Sequence, residues 1–347
     1  MSALGPVVDV HAHVIVPEVE AAVTGHPGLE SQRALERVRH GTESMAVSGR
    51  MVAERMAQLT DVDRRLADMD TAGVDVQVIS PSPSQYHYWT DPDLARVVFR
   101  AAHRGVAAVV AEEPARFAGL GLLPLHHPAL AVAALEDALE TGLAGVELSS
   151  HALQPGASEN TVELSDPRLE PLWARAAETQ AVLFLHPFGC TLDARLDRFY
   201  LANTVGQPVE NAVALSHLIF SGVLDRHPGL RILAAHGGGY LPTYLGRSDH
   251  AWQVRPEARG CAHPPSSYLR RLWFDSLVHA PEALRALVAA AGADRVLLGS
   301  DYPFDMGVPD PLDRLAACGL PAADEHAVRT ANAEHLRLLP TPVTTPR

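Results

Sequence analysis

The sequence predicts an α/β fold, a (β/α)8 TIM barrel, and two observations carry that expectation. Eight short apolar runs punctuate the chain, at residues 6–10, 74–80, 119–125, 144–149, 181–186, 230–236, 271–276 and 295–301. Most are followed by stretches rich in Ala, Leu and Arg with apolar residues at helical spacing. Near-continuous apolar strands are buried on both faces, as in a parallel sheet, and strands alternating with helices imply βαβ units. A doubly wound open sheet shares this alternation and is the competing architecture. At 347 residues the chain is long for one hydrophobic core, yet α/β barrels reach this length as one domain. The expected organisation is a single barrel domain over 1–338, with insertions at 17–60 and 187–229 and a flexible tail over 339–347.

The elements follow in order. The first run, "VVDVHAHV", ends on His11 and His13. After it, residues 17–60 mix a charged helix-like stretch, "LESQRALERVR", with a Ser/Gly/Met segment, "HGTESMAVSGRM". Asp91 and Pro92 open a long helix as cap and first residue, and Pro114 stops it. A second helix runs from Pro128 to a glycine stop at Gly142. The fifth run closes on "FLHP" with His186, the sixth on "AHGGGY" with His236, and the eighth on "GSDYPF" with Asp301. Long connections after barrel strands gather over the active-site end, so 17–60 and 187–229 are candidate lids.

Composition excludes several function classes. Net charge is −13 and no basic patch stands out, which argues against nucleic acid or an anionic membrane as partner. Three scattered cysteines, Cys190, Cys261 and Cys318, make neither a disulfide framework nor a CxxC metal site. With no leader-like or membrane-spanning run, the expectation is a cytoplasmic enzyme.

Strand C-terminal ends are where barrel enzymes keep their chemistry, and His11, His13, His186, His236 and Asp301 all fall there. Residues i and i+2 of an extended chain point the same way, so His11 and His13 present two imidazoles towards one point. Imidazole with carboxylate suits Zn2+ and similar divalent ions. Asp9 precedes the pair at the same spacing, so it is expected to face the barrel interior and orient one of those imidazoles. Glycine-rich "AHGGGY" lacks the spacing of a dinucleotide fingerprint.

"DVHAH", "LHP", "AHGGG" and "GSDYP" stand in the order and at the strand ends of the amidohydrolase superfamily, which the chain resembles. More closely, "MDTAGVDVQV" (69–78), "HGGGYLPTYLGRSDHAW" (236–252) and "RVLLGSDYPF" (295–304) resemble the metal-dependent decarboxylases of the aminocarboxymuconate semialdehyde decarboxylase family. The resemblance spans about residues 7 to 338. It implies one Zn2+ per chain, with Mn2+ as an alternative, held by His11, His13, His186 and Asp301. His236 is then the acid/base beside the metal, with Asp301 also catalytic. Arg247 matches a substrate-binding arginine supplied by the neighbouring subunit, which implies a homodimer. A further substrate arginine of the family falls here on Ala53, leaving Arg50 or Arg55 to replace it.

The implied activity is that of a carboxy-lyase, the non-oxidative decarboxylation of a small unsaturated or aromatic carboxylic acid such as a carboxymuconate semialdehyde or a hydroxybenzoate. Without pyridoxal or thiamine, the carbanion left by CO2 must be avoided. Either hydroxide adds to the conjugated acid first, or its carbon is protonated before CO2 leaves. A hydrolase or hydratase acting on an ester, lactone, amide or alkene would use the same ligands and is the alternative. Glu147 on the fourth strand is a candidate for a second metal or a hydrogen-bonded core carboxylate. An arginine and aromatic set in the second insertion, Arg195, Arg198, Phe199 and Tyr200, is either a substrate-recognising rim or a packed cover.

Overall fold

The computed structural model of the protein describes residues 5–153 and 161–340. Its strands are β1 (Val8–Val14), β2 (Val76–Pro81), β3 (Phe117–Gly119), β4 (Gly121–Leu122), β5 (Gly145–Leu148), β6 (His151–Leu153), β7 (Thr161–Glu163), β8 (Val182–Leu185), β9 (Arg231–Ala234), β10 (Trp273–Asp275) and β11 (Val296–Leu297). Parallel pairing runs β1-β2-β3 and β4-β5-β8-β9-β10-β11. Leu120 carries β3 into β4 as one interrupted strand, its N–H bonding Ile79 O at 2.9 Å. The ring closes where Val10 N–H donates to Leu298 O at 2.9 Å and His13 N–H to Tyr302 O at 2.8 Å. Eight strand positions therefore form a closed parallel barrel, and the open-sheet alternative is set aside.

Helices connect the strands: α1 (Pro17–Val23), α2 (Pro27–His40), α3 (Thr42–Glu54), α4 (Met56–Thr60) and α5 (Val62–Ala72) after β1, α6 (Pro92–Glu112) after β2, and α7 (Pro128–Glu140) after β4. Then come α8 (Glu170–Thr179), α9 (Gln207–Phe220), α10 (Val223–Arg226), α11 (Leu241–Val254), α12 (Pro281–Ala291) and α13 (Pro311–Ala316). Asp91 caps α6 as expected, accepting from Asp93 N and Leu94 N at 3.0 and 2.9 Å. The Ser/Gly/Met segment of the first insertion is helical, as α3. The β6–β7 hairpin between β5 and α8 was not foreseen.

Two apolar layers hold the barrel. Val8, Val10, Val76, Val78, Val182 and Phe184 belong to an inner cluster, while Ala12, Val14, Ile79, Leu183 and Leu185 pack under the helices. On β1 the inward positions are thus even-numbered up to Val10, but Ala12 and Val14 face outward. A register irregularity between Asp9 and Ala12 is the cause, because one extra residue in a strand moves the following side chains to the opposite face. Among the described residues no helix is long and apolar enough to cross a membrane. Leu339, at the start of the expected flexible tail, packs partly buried on the inner cluster; 341–347 lie outside the described residues.

Candidate metal centre

The irregularity in β1 decides what its end presents. Beyond it, His11 and His13 turn inward together, both fully buried. Asp9 stays on the outer face and accepts from His11 N at 3.1 Å, Gln77 Nε2 at 3.0 Å and Ser300 Oγ at 2.6 Å. It bonds backbone and neighbours, not an imidazole, so the expectation that it orients a ligand ring is corrected. The strand period predicted a shared face, and the extra residue broke it.

Asp275, at the end of β10, does what Asp9 was expected to do. Its Oδ2 accepts from His11 Nδ1–H at 2.6 Å, and its Oδ1 accepts from Gly237 N at 2.8 Å, in the loop carrying His236. The run "RLWFDS" offered a signal for it, an acid closing an apolar strand, but without a histidine beside it no role was assigned. His13 Nδ1 lies 3.3 Å from Pro81 O. Donation there and from His11 Nδ1 leaves both Nε2 atoms as bare acceptors, 3.1 Å apart. Asp301 Oδ1 stands 3.4 Å from each.

One ligand atom from each of His11, His13, His186 and Asp301 lies within 4.8 Å of the others. Three acceptors facing one another at 3.1 to 3.4 Å repel unless a cation sits among them. Tetrahedral bonds of about 2.0–2.1 Å would set neighbouring ligand atoms roughly 3.3 Å apart. His186 is 7% exposed, yet both its ring nitrogens lack a hydrogen-bond partner, as does Asp301 Oδ1. Buried polar groups are rarely left so. The residue set fits a divalent metal ion.

Electrostatics agree. Burial pushes the Asp301 carboxyl up, but the surrounding imidazoles of His11, His13 and His236 hold it well below the usual carboxylate range. Burial, then the neighbouring His236, His13 and His11, pushes the His186 imidazole well below its usual value. A charged carboxylate and a neutral imidazole are the forms that bind metal. His236 and Asp301 both sit at left-handed φ, +54° and +58°, a strained backbone of the kind that collects at functional sites. His236 Nε2 is 3.7 Å from Asp301 Oδ2, and its Nδ1 has no partner.

Around this cluster the other sequence candidates separate. Glu147 is fully buried and accepts from the Tyr86 hydroxyl, which also donates to His186 O at 2.9 Å. Its Oε2 lies 3.9 Å from His13 Nδ1, and burial, opposed by His13, raises its pKa. It is not among the four clustered residues. Arg55 donates to Pro303 O, two residues beyond Asp301, whereas Arg50 and Arg247 are exposed. Cys190 is buried and burial pushes its thiol up to about 11, as suits packing. His151 pairs with Glu210 at 2.9 Å, both buried. In the second insertion, Phe199 is 86% exposed. Tyr200 is pushed up to about 12, by burial first and then by Asp305 and Asp301, partly offset by a hydrogen bond with Ser48.

The comparisons now fall on a defined site. The amidohydrolase family profile matches residues 8–336, and the chain belongs to that family. It is 33% identical over 303 residues to 2-amino-3-carboxymuconate-6-semialdehyde decarboxylase of Dictyostelium discoideum, covering 86% of this chain and 82% of that protein. To the gamma-resorcylate decarboxylase of Rhodococcus jostii it is 29% identical over 304 residues, 84% of this chain and 92% of the other. The same fold is found in a crystal structure of a dihydroxybenzoic acid decarboxylase from Polaromonas sp. JS666 with bound manganese and the inhibitor 2-nitroresorcinol. There the TM-score is 0.79, with 24% identity and 96% of each chain covered.

Proposed function

We propose that this chain is a metal-dependent carboxy-lyase, removing CO2 without oxidation from a small unsaturated or aromatic carboxylic acid. His11, His13, His186 and Asp301 would hold one divalent ion, Zn2+ in preference to Mn2+ because three imidazoles and one carboxylate form a borderline-soft set. The observation that carries the reading is the group of four ligands within 4.8 Å, with His186 left unpartnered on both nitrogens. Relatives that are decarboxylases of two kinds of unsaturated acid support the reaction class.

Such an ion, when bound, supplies Lewis-acid polarisation and offsets the charge of an acid. The chain's own groups do the rest. Decarboxylation breaks one carbon–carbon bond, releases CO2 and puts a proton on the carbon left behind. His236 stands at the cleft beside Asp301 and, as an imidazole able to hold or release a proton, is the group to carry it. Asp301 keeps its charge and faces the His236 ring. Arg55, rather than Arg50, is the better substrate arginine of the first insertion, since its head group already reaches the loop after Asp301. The insertions at 17–60 and 187–229 would act as the lid. A homodimer that brings Arg247 to the neighbouring site completes the proposal.

The test is CO2 release by the metal-loaded protein from muconate semialdehydes, hydroxybenzoates and related acids, alongside metal analysis. About one ion per chain is expected, and His11→Ala or Asp301→Ala should lose both metal and turnover. Full turnover by metal-free protein would end the proposal. Opening of a lactone with no acid releasing CO2 would move the reading to a hydrolase.

A further inference from the structure

The cleft beside the metal centre, of about 540 Å³, is lined on the metal side by His236 and Asp301. Asn203, Thr204 and Gln207 contribute to the rest of the lining together with apolar side chains such as Val278 and Met306. Among the described residues lining it there is no lysine or arginine, and the imidazole added to that of His236 is His279.

Gln207 stands out among them. It is 7% exposed, and its Oε1 makes no hydrogen bond. An unmatched buried acceptor forfeits the hydrogen bond it had with water, which a ligand donor can restore. The backbone holds it firmly. A π-helical turn over Ala202–Gly206 leads directly into α9, of which Gln207 is the first residue, and such turns often mark functional sites. One turn on, Asn211 Nδ2 donates to Ala235 O at 2.9 Å, next to His236. Gly239, at φ +64°, lies so near that a Cβ there would meet Pro208 O at 2.1 Å. The start of α9 is therefore wedged against the loop carrying His236, and the distance between Gln207 and the acid/base is fixed by rigid elements.

We propose that Gln207 is a specificity-determining residue whose Oε1 accepts a hydrogen bond from a hydroxyl or amino group of the substrate. Resting on the decarboxylase reading for its ligand class, the inference narrows that class to hydroxy- or amino-substituted unsaturated acids. An acid lacking the donor would leave the amide unmatched and be discriminated against.

The experiment measures dissociation constants for the metal-loaded protein with benzoate, the three hydroxybenzoates, the three aminobenzoates and the three methoxybenzoates. In the wild type, at least one hydroxy or amino isomer should bind ~10-fold or more tightly than benzoate, about one hydrogen bond's worth. The matching methoxy acid, with no proton to give, should show no such preference. Gln207→Met, close in shape but without the acceptor, should bring the ratio to within about threefold, with metal content unchanged. Gln207→Glu, which keeps an acceptor there, should retain the preference. Absence of any preference in the wild type, a methoxy acid bound as well as its hydroxy parent, or a ratio unmoved by Gln207→Met would each overturn the inference. CO2 release is scored separately: turnover with an unmoved ratio sinks only the role of Gln207, and a collapsed ratio without CO2 release sinks only the decarboxylase reading.

Discussion

At the barrel mouth, His11, His13, His186 and Asp301 are all buried, whereas α2 and α3 of the first insertion contain no buried residue at all. Strand ends fix the first group, and the hydrogen bonds of Asp275 and Pro81 set its imidazoles. The second region is held by a few contacts with neighbouring loops. His40 packs on Phe188 with ring centroids 5.9 Å apart, and Arg55 donates to Pro303 O. Chemistry that needs ligand atoms set within fractions of an ångström is built on the sheet. The insertions, proposed as a lid, are built from elements with few buried contacts, which open at low cost.

If that division holds, a cut beneath the cluster should disturb metal and leave the insertions alone. Asp275→Ala removes the acceptor that fixes the His11 tautomer and also frees Gly237 N. Loss of such a partner typically costs 10–100-fold in metal affinity, and a fall of about that size is expected in a chelator-competition titration. Proteolysis of the 17–60 region should be unaltered. Metal binding as tight as in the wild type would show that His11 needs no orientation from below.

The reverse cut is at the bend between α2 and α3. Gly41 has φ +77° and ψ 150°, and a Cβ there would lie 1.8 Å from Asp197 O in the second insertion. Gly41→Ala should strain the backbone by about 1–3 kcal/mol and push the two insertions apart. Metal content should stay near wild type, while proteolytic nicking within 17–60 speeds up and KM rises. Loss of metal in this variant would mean that insertions and cluster form one unit, and the contrast between them would fall.

That same contrast governs what the sequence could tell. The eight strands and the convergence of His11, His13, His186 and Asp301 were legible because they depend on local spacing: a run of apolar residues, then His-x-His, His or Asp at its end. Asp9 misled because the extra residue in β1 leaves no mark in an apolar-and-polar pattern. Asp275 was invisible as a partner because its meaning lies in β1, far away in sequence. Helix α3 was missed for the opposite reason, as Ser, Gly and Thr in "HGTESMAVSGRM" weaken the helical signal that packing restores. Gln207 carried no sequence signal, since an amide at a helix start is common and only its burial and missing partner single it out.

The smallest effect is expected furthest from the centre, at Arg247. It is exposed on α11, the helix that follows the His236 loop, and Tyr244 on the same helix is 70% exposed. Arginine and tyrosine side chains are enriched where protein surfaces meet. A guanidinium grips a carboxylate through two parallel donors, which an ammonium cannot do. Arg247→Lys should therefore raise KM by roughly 3- to 10-fold with metal content unchanged, and wild-type kinetics would put the arginine in solvent. Mixing chains decides whose site it serves. A population of Arg247→Ala chains combined with inactive His236→Ala chains should regain the low KM that Arg247→Ala chains lack alone, because a mixed dimer pairs an intact His236 site with an arginine from its neighbour. No recovery on mixing would place Arg247 at its own chain's site or at none.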